Sequence, residues 1–181
     1  MKIVIIGSST SDYKKQLSHK LVELNDNLCI GNTFTTDIEY KDKLTEDFVY
    51  YMPHEEAELG YVNNAFMYVT STKEYTKGIS LSDMYSDDIF VLEYMDFNNI
   101  SEKVMSELGC DNLFVVVDER SRHHTNTDII EARYSEEKLQ KMQHVLYFID
   151  EDIKDVATII LYYINPDRTE EELANCREEN S

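Results

Sequence analysis

Apolar residues follow two kinds of pattern along this chain. Short, predominantly apolar runs, typical of strands covered on both faces, lie at residues 2–6, 89–94, 113–117 and 145–149. Between and after these runs, the arrangement of apolar positions predicts helices at residues 12–25, 81–86, 100–108, 127–143 and 153–164. Strands that alternate with helices of this length indicate crossover connections. The pattern therefore predicts an α/β fold with a parallel sheet.

Residues 33–78 do not follow this alternation. They contain many Tyr and Thr residues, polar breaks and short alternating stretches at 48–52 and 66–70, which predict a small, partly β insertion. A second short strand is predicted just before it, at residues 28–30. The 181 residues include only two prolines and five glycines, which leaves little linker material. A single domain is therefore expected.

Charge restricts the classes of partner. The chain carries 36 acidic and 17 basic residues, a net charge of −19, with a dense acidic tail at residues 166–181. A field of this sign argues against nucleic acid or an anionic membrane as a partner. Two explanations remain, a charged surface that keeps the protein soluble and a surface that binds a basic protein partner.

Cysteine usage and the N-terminus bear on location. Cys29, Cys110 and Cys176 are widely separated, which favours a reducing compartment over a disulfide framework or a zinc site. No apolar run is long enough to span a bilayer, and the apolar segment before Gly7 is too short for a signal peptide. A cytoplasmic protein is expected.

The loop after the first predicted strand is a candidate phosphate-binding loop, since backbone N–H groups between a strand and a helix can bind an anion. Its candidate residues are Gly7, Ser8, Ser9, Thr10 and Ser11. The phosphate-loop signature G-x-x-x-x-G-K-[ST], counted from Gly7, places its second glycine on Asp12 and its lysine on Tyr13. A loop one residue longer would let Lys14 act as that lysine. The alternative interpretation is a Ser/Thr/Asp-rich N-cap of the following helix.

A cationic cluster follows the third apolar run and is a second candidate for phosphate binding. It contains Arg120, Arg122, His123, His124 and Arg133. Arginine's planar fork matches phosphate oxygens, but the same arginines have many carboxylates nearby with which to pair, such as Glu119 and Glu136. Glu93 and Asp96, at the end of the second apolar run, are a third candidate, since a strand-end carboxylate can hold Mg²⁺ through water.

Taken in order, these segments resemble guanylate kinase. The matching stretches are residues 32–37 (NTFTTD), 74–80 (EYTKGIS), 91–96 (VLEYMD), 120–133 (RSRHHTNTDIIEAR) and 144–153 (HVLYFIDEDI). They resemble the family's Thr-Thr-Arg stretch, its Tyr-Tyr-Gly-Thr stretch, a strand ending in Asp, the arginine-bearing lid, and a Tyr-Asp-Tyr-Val-Ile-Val-Asn-Asp-Asp ending. The lid pattern is the most telling of these, and the resemblance covers about residues 1–165.

The resemblance implies a three-layer P-loop NTPase-like domain at residues 1–165, with a nucleoside-monophosphate-binding insertion at about 33–80 and a lid at about 119–134. It implies phosphoryl transfer from ATP to a nucleoside monophosphate, with Mg²⁺ held at Asp96. The implied roles are a phosphate clamp of Arg120, Arg122, Arg133 and Lys14, and acceptor binding by Thr35, Tyr75 and Asp96.

Three positions depart from the family pattern and leave the function open. Asp12 and Tyr13 replace loop residues, and Asp37 stands where the family uses an arginine for the acceptor phosphate. Losing such cations typically costs orders of magnitude in rate. The alternatives are a divergent, active kinase that uses Mg²⁺ and ATP, an inactive relative that binds a nucleotide or a protein without turnover, and an interaction or structural protein of the kind that a phage can encode, with no cofactor.

Overall fold

Two four-stranded sheets organise the molecule. The computed structural model describes residues 1–41, 48–109, 112–149 and 151–165. The first sheet contains β1 (Lys2–Gly7), β6 (Ile89–Glu93), β7 (Leu113–Asp118) and β8 (His144–Phe148). Its strands are all parallel and lie in the order β6-β1-β7-β8. The predicted α/β fold with a parallel sheet is confirmed.

Helices cover both faces of this sheet. The helices of the described residues are α1 (Tyr13–Leu24), α2 (His54–Val62), α3 (Leu81–Ser86), α4 (Tyr94–Asn99), α5 (Glu102–Leu108), α6 (Asn126–Leu139) and α7 (Ile153–Ile164), of which α2 belongs to the insertion and not to the layers around this sheet. Two 3₁₀ helices lie at Ile38–Tyr40 and Glu119–His123. Ile3 and Ile5 of β1 pack against α1 and α7, while Val4 and Ile6 pack against α4, α5 and α6. Both cores are apolar because alternate residues of a strand point to opposite faces, which gives the three layers.

The insertion contains the second sheet. Its strands are β2 (Thr33–Thr35), β3 (Val49–Tyr51), β4 (Phe66–Ser71) and β5 (Thr76–Ser80), in the order β3-β2-β5-β4. β2 pairs with β3 in parallel and with β5 antiparallel, and β4 pairs antiparallel with β5. Phe34, Met52 and Ala57 form a small core under α2. The residues predicted as a partly β insertion do form a small sheet.

Some predicted boundaries are wrong, for local reasons. The strand predicted at 28–30 is only an isolated bridge from Ile30 to Ile89, because the N–H of Leu28 closes a turn onto Asn25 instead. The strand predicted at 89–94 ends at Glu93, which is the N-cap of α4 and forms a capping box with Asp96. The helix predicted at 127–143 ends at residue 139. Helices α2 and α4 were not predicted at all.

Some sequence predictions fall outside the described residues. Cys110, Cys176, Asp150 and the acidic tail at 166–181 are among them. Within the described ranges, none of the helices combines the length and the apolar character that crossing a bilayer requires.

Candidate functional site

A cavity of about 370 Å³ lies between the carboxyl edge of the first sheet and the second sheet. The first sheet's side contributes residues from the loop after β1, from α1 and from the end of β6, among them Ser9, Ser11, Asp12, Lys14, Glu93 and Asp96. The second sheet's side contributes Thr35, Asp37, Tyr68, Tyr75 and Lys77. Ligands of open α/β sheets bind outside the carboxyl ends of the strands, so the cavity is in the expected place.

Lys14 brings a buried ammonium group to this cavity. The residue is 5% exposed, and its Nζ donates to the carbonyls of Gly7 at 3.4 Å and Leu92 at 3.3 Å. Burial lowers the pKa of Lys14 to about 8, although the carboxylates of Glu93 and Asp96 act in the opposite direction. Lys14 forms no ion pair with the residues that the structure describes, so one of its three N–H donors is left for a ligand.

Lys77 brings a second ammonium to the same cavity, but this one is paired. Its Nζ lies 3.0 Å from Oε2 of Glu93 and 3.1 Å from Oδ2 of Asp96. Burial alone would lower the pKa of Lys77, but the two carboxylates outweigh burial and raise it. Lys77 therefore stays protonated at neutral pH, and its charge is shared between two acids from the first sheet's side.

The loop after β1 is held closed by residues that follow β7. The N–H of Ser8 donates to Oγ of Ser121 at 2.9 Å. The hydroxyls of Ser8 and Thr10 lie 3.1 and 2.9 Å from Nδ1 of His124, and Ser11 Oγ donates to the buried carboxylate of Asp118. The N–H groups of Thr10 and Ser11 donate to the hydroxyl and the carbonyl of Ser8, each at 3.2 Å. Three backbone donors and three hydroxyls of the candidate phosphate loop are thus engaged within the protein.

Comparisons with known proteins agree with this architecture. No protein-family model matches the sequence, and no curated protein is detectably similar to it. The crystal structure of guanylate kinase from Anaplasma phagocytophilum aligns with 94% of this chain and 88% of its own chain, with a TM-score of 0.57 and 15% identity. The chain has a guanylate-kinase-like fold. At this identity the likeness concerns the fold, and function has to be argued from the site.

The side-chain capping predicted for α1 is absent, although a residue of the predicted type stands at its N-terminus. Asp12 does occupy the N-cap position of α1, but its side chain accepts no capping hydrogen bond and is exposed. Its backbone is already in the helical region, at φ −73° and ψ −18°, so the carboxylate is not aimed at the first-turn N–H groups. Asp12 lines the cavity instead.

The predicted clamp arginines lie away from the cavity. Arg122 pairs with Glu119, at 3.5 Å, and with Glu136. The guanidinium of Arg120 stacks over the ring of Tyr13 at 4.1 Å, and its Nε lies 3.4 Å from Oδ1 of Asp118.

Arg133 is exposed and forms no hydrogen bond or ion pair in the part of the chain that the structure describes. None of the three arginines lines the cavity. Arg122 pairs with carboxylates, as the alternative interpretation of the cationic cluster expected. The phosphate-clamp role of the three arginines stays a prediction.

The predicted acceptor residues are brought together. Thr35, Tyr75 and Asp96 all line the cavity, and Thr35 is 5% exposed. Asp37, which replaces the family's arginine, accepts a hydrogen bond from the N–H of Glu39 at 3.0 Å and so caps a 3₁₀ helix. Its carboxylate leaves the second sheet without a cation at this position, and Lys77 is the basic residue that this sheet contributes to the cavity.

The geometry around Asp96 does not suit the predicted metal ligand. Asp96 is 3% exposed; its Oδ1 accepts from Thr70 Oγ1 at 3.1 Å, and its Oδ2 from the N–H of Glu93 at 3.3 Å and from Lys77. Both oxygens are engaged, and an ammonium lies beside them. No group of three His, Cys, Asp or Glu residues in the described ranges is arranged to hold a metal ion.

Sequence reasoning missed Lys77. Its partners Glu93 and Asp96 are 16 and 19 positions further along the chain, so no local spacing announces the contact. The only signal in the sequence was a single lysine in the EYTKGIS stretch, within a segment whose pattern predicted no more than a small, partly β insertion.

Proposed function

We propose that this protein binds a nucleotide in the cavity between its two sheets, with a phosphate group against Lys14. The observation that carries the proposal is the buried Lys14 ammonium, which faces the cavity without an ion-pair partner among the described residues of a chain whose net charge is −19. A buried charge is costly unless it is paired, so a site that keeps one unpaired suits an anionic ligand.

The rest of the cavity supports a nucleotide over a smaller anion. Its volume of about 370 Å³ falls in the range of small-molecule sites. Tyr40, Phe48 and Tyr75 line it on the second sheet's side, and aromatic rings offer stacking surfaces to a base. The guanylate-kinase-like fold adds weight to this class of ligand, and a nucleoside monophosphate is the member that the predicted acceptor residues Thr35 and Tyr75 favour.

Phosphoryl transfer from ATP is the reaction that we assign to this site if the protein is active. Lys14 would neutralise charge on the transferring group, since positioning and electrostatic stabilisation are nearly all that a protein contributes to such a reaction. Arg120 and Arg122 would have to leave their carboxylate partners to assist. Because Asp96 does not suit a metal, no step of this proposal passes through Mg²⁺ at that residue.

A specific observation favours a second candidate, a kinase-fold protein that binds without turnover. The Ser8 N–H, which a bound phosphate would use, already donates to Ser121, and Ser8 and Thr10 contact His124. A donor-phosphate site would require these hydrogen bonds to break. The acceptor side of the cavity needs no such rearrangement, so binding there is compatible with the absence of catalysis.

Calorimetry with paired lysine variants tests the proposal. We expect GMP or another nucleoside monophosphate to bind the wild-type protein, and Lys14→Met to weaken binding at least about tenfold through loss of a charge-assisted contact. Lys103→Met is the matched control, because Lys103 is 82% exposed and Glu107, at 3.8 Å, is its one ion-pair partner among the residues that the structure describes. Equal affinity of Lys14→Met and wild type would refute the proposed site. A coupled ATP-consumption assay on the same samples separates the two candidate functions.

A further inference from the structure

The Lys77 ammonium joins two acidic side chains that belong to the other sheet's side of the cavity. Lys77 is in β5, directly between its register partners Thr35 of β2 and Thr70 of β4. Glu93 ends β6, and Asp96 is in the first turn of α4. The Lys77 side chain is 15% exposed, against 31% for Glu93 and 4% for Asp96. The contact is therefore a largely buried, cross-sheet arrangement and not a surface ion pair.

Two carboxylates that share one cation are the arrangement in which a protein commonly holds a divalent ion. Mg²⁺ is usually bound through one or two carboxylates, with water and substrate phosphate completing its shell. Here one oxygen of each carboxylate, Glu93 Oε2 and Asp96 Oδ2, already has the Lys77 ammonium at 3.0 and 3.1 Å. The remaining oxygen of Asp96 accepts from Thr70 Oγ1, whose own oxygen accepts from Asn99 Nδ2 at 2.9 Å.

We propose that Lys77 is the resident cation of this cavity, occupying the position between Glu93 and Asp96 that a divalent metal ion would need. A dication at that position would meet the ammonium at close range, and removing the ammonium would leave two carboxylates without a counter-charge. The consequence for ligand binding, which rests on the proposed function, is that a phosphate ligand binds without a divalent metal. The positive charge facing it comes from Lys14 and Lys77.

The neighbourhood of the two lysines supports this assignment. Lys77 is among the charges that lower the pKa of Lys14, after burial, so the two ammonium groups are close enough to interact. Lys14, on the first sheet's side, and Lys77, on the second sheet's side, thus place two ammonium groups near the carboxylates of Glu93 and Asp96. A divalent ion would be redundant there and would be repelled.

Manganese binding tests the first half of the proposal, that Lys77 occupies the position of a divalent metal ion, and it needs no nucleotide. Mn²⁺ is titrated into wild type, Lys77→Met, Lys77→Arg and Lys103→Met, and free Mn²⁺ is measured by electron paramagnetic resonance. We expect Lys77→Met to gain a Mn²⁺ site at least about tenfold tighter than any in the other three proteins, because the repulsion of a nearby unit charge is removed. Lys77→Arg keeps the charge and controls for general disturbance of the cavity.

Wild type and Asp96→Asn together decide the same question, should Lys77→Met not fold. Tight Mn²⁺ binding to wild type that is lost in Asp96→Asn would overturn the proposal. So would a folded Lys77→Met that binds Mn²⁺ no better than wild type. Weak, Asp96-independent Mn²⁺ binding to wild type is the result expected, since the many exposed acids of this chain bind cations non-specifically.

Nucleotide binding with and without metal tests the second half of the proposal, that a phosphate ligand binds without a divalent metal ion. We expect the affinity of wild type for GMP in excess EDTA to lie within about twofold of that with Mg²⁺, and a tenfold gain on adding Mg²⁺ would overturn the proposal. If no nucleotide binds under either condition, the proposed function fails and this half with it. The Mn²⁺ titration still decides whether Lys77 holds the metal's position, so the two failures are distinguishable.

Discussion

The hydroxyl of Ser121 connects the loop after β1 to the end of β7. It accepts from the N–H of Ser8 at 2.9 Å and donates to the carbonyl of Asp118 at 2.9 Å. The approach is close because residue 7 is glycine: a Cβ there would lie 2.9 Å from Ser121 Oγ and 3.0 Å from Asp118 Cβ. The shape of the candidate phosphate loop thus depends on one buried serine 113 positions away.

Replacing that serine should destabilise the fold. Ser121→Ala leaves the Ser8 N–H buried without its acceptor, and an unsatisfied buried donor costs about 1–3 kcal/mol. Urea unfolding measures the change, with Ser106→Ala as the control because Ser106 is exposed on α5. Equal stabilities for the two variants would show that the loop does not depend on Ser121.

The pKa of Lys14 gives stability a definite pH dependence. Burial lowers this pKa from 10.5 to about 8, so between these values the unfolded chain binds more protons than the folded one. The free energy of unfolding therefore rises with pH in this window, by at most about 1.4 kcal/mol per pH unit for one lysine. Burial also lowers the pKa of Lys138 to about 8, which adds to the rise.

Denaturant unfolding at intervals from pH 8 to 10 checks this expectation. The window stops at pH 10 because the raised pKa values of Tyr13 and Tyr50, both about 12 through burial, act in the opposite direction above it. Lys14→Met should show a smaller rise than wild type, with the Lys138 contribution retained. A wild-type stability that stays flat or falls between pH 8 and 10 would contradict the assignment.

The first sheet could be predicted because its sequence signal is local. Ile3 to Ile6 are at most 1% exposed, so burial on both faces leaves an uninterrupted apolar run that no helix or loop would produce. Helix α7 could be predicted equally well, since its apolar residues lie at helical spacing and share one buried face, formed by Val156, Ala157, Ile160 and Leu161. Elements with one strongly apolar face could be located from the sequence alone.

Helices α2 and α4 could not be found in this way, because α2 buries a single apolar residue and α4 is too short for its buried Tyr94 and Phe97 to form a recognisable stripe. Ala57 is the buried residue of α2, and α4 is a six-residue helix whose first turn is set by the Glu93–Asp96 capping box. A Pro before an acidic first turn, as in PHEE, and an acid pair three residues apart were the available signals.

The candidate site was predicted in part. Lys14, Thr35, Tyr75 and Asp96 were expected near a ligand and do line the cavity, because strand ends and the resemblance fixed their approximate places. Lys77 was missed, because its place in the site depends on contacts with Glu93 and Asp96 that only the packing of the two sheets creates.

Gly78 limits how the second sheet can be altered. A Cβ at this position of β5 would lie 2.3 Å from the carbonyl oxygen of Tyr68 and 2.8 Å from the ring of Phe34. The Tyr68 carbonyl belongs to the backbone of the neighbouring strand and the Phe34 ring is fully buried, so neither can shift without a cost in free energy. Gly78→Ala should cost about 1–3 kcal/mol through overpacking, measured by thermal unfolding. Ser71→Ala, exposed at the end of β4, is the control, and a Gly78→Ala protein as stable as this control would refute the close approach.

Lys138 stabilises the helix that carries Asp96. Its Nζ donates to the carbonyls of Phe97 at 2.7 Å, Asn98 at 2.8 Å and Ile100 at 2.8 Å, at the C-terminal end of α4, where backbone carbonyls lack the N–H partners of a longer helix. Lys138→Met should therefore destabilise the protein by at least about 2 kcal/mol, because hydrogen bonds from a charged donor are lost and the carbonyls stay partly buried.

Lys141→Met is the matched control for Lys138, since Lys141 follows α6 and makes an exposed contact with Glu102 at 3.3 Å. Exposed ion pairs contribute about 0–1 kcal/mol, so this variant should stay close to wild type in urea unfolding. Because α4 also positions Asp96 against Lys77, Lys138→Met should make this part of the cavity less rigid. It should therefore weaken nucleotide binding, although Lys138 itself does not line the cavity. A variant that loses stability but binds with wild-type affinity would show that the Lys77 contacts hold Asp96 in place without the support of α4.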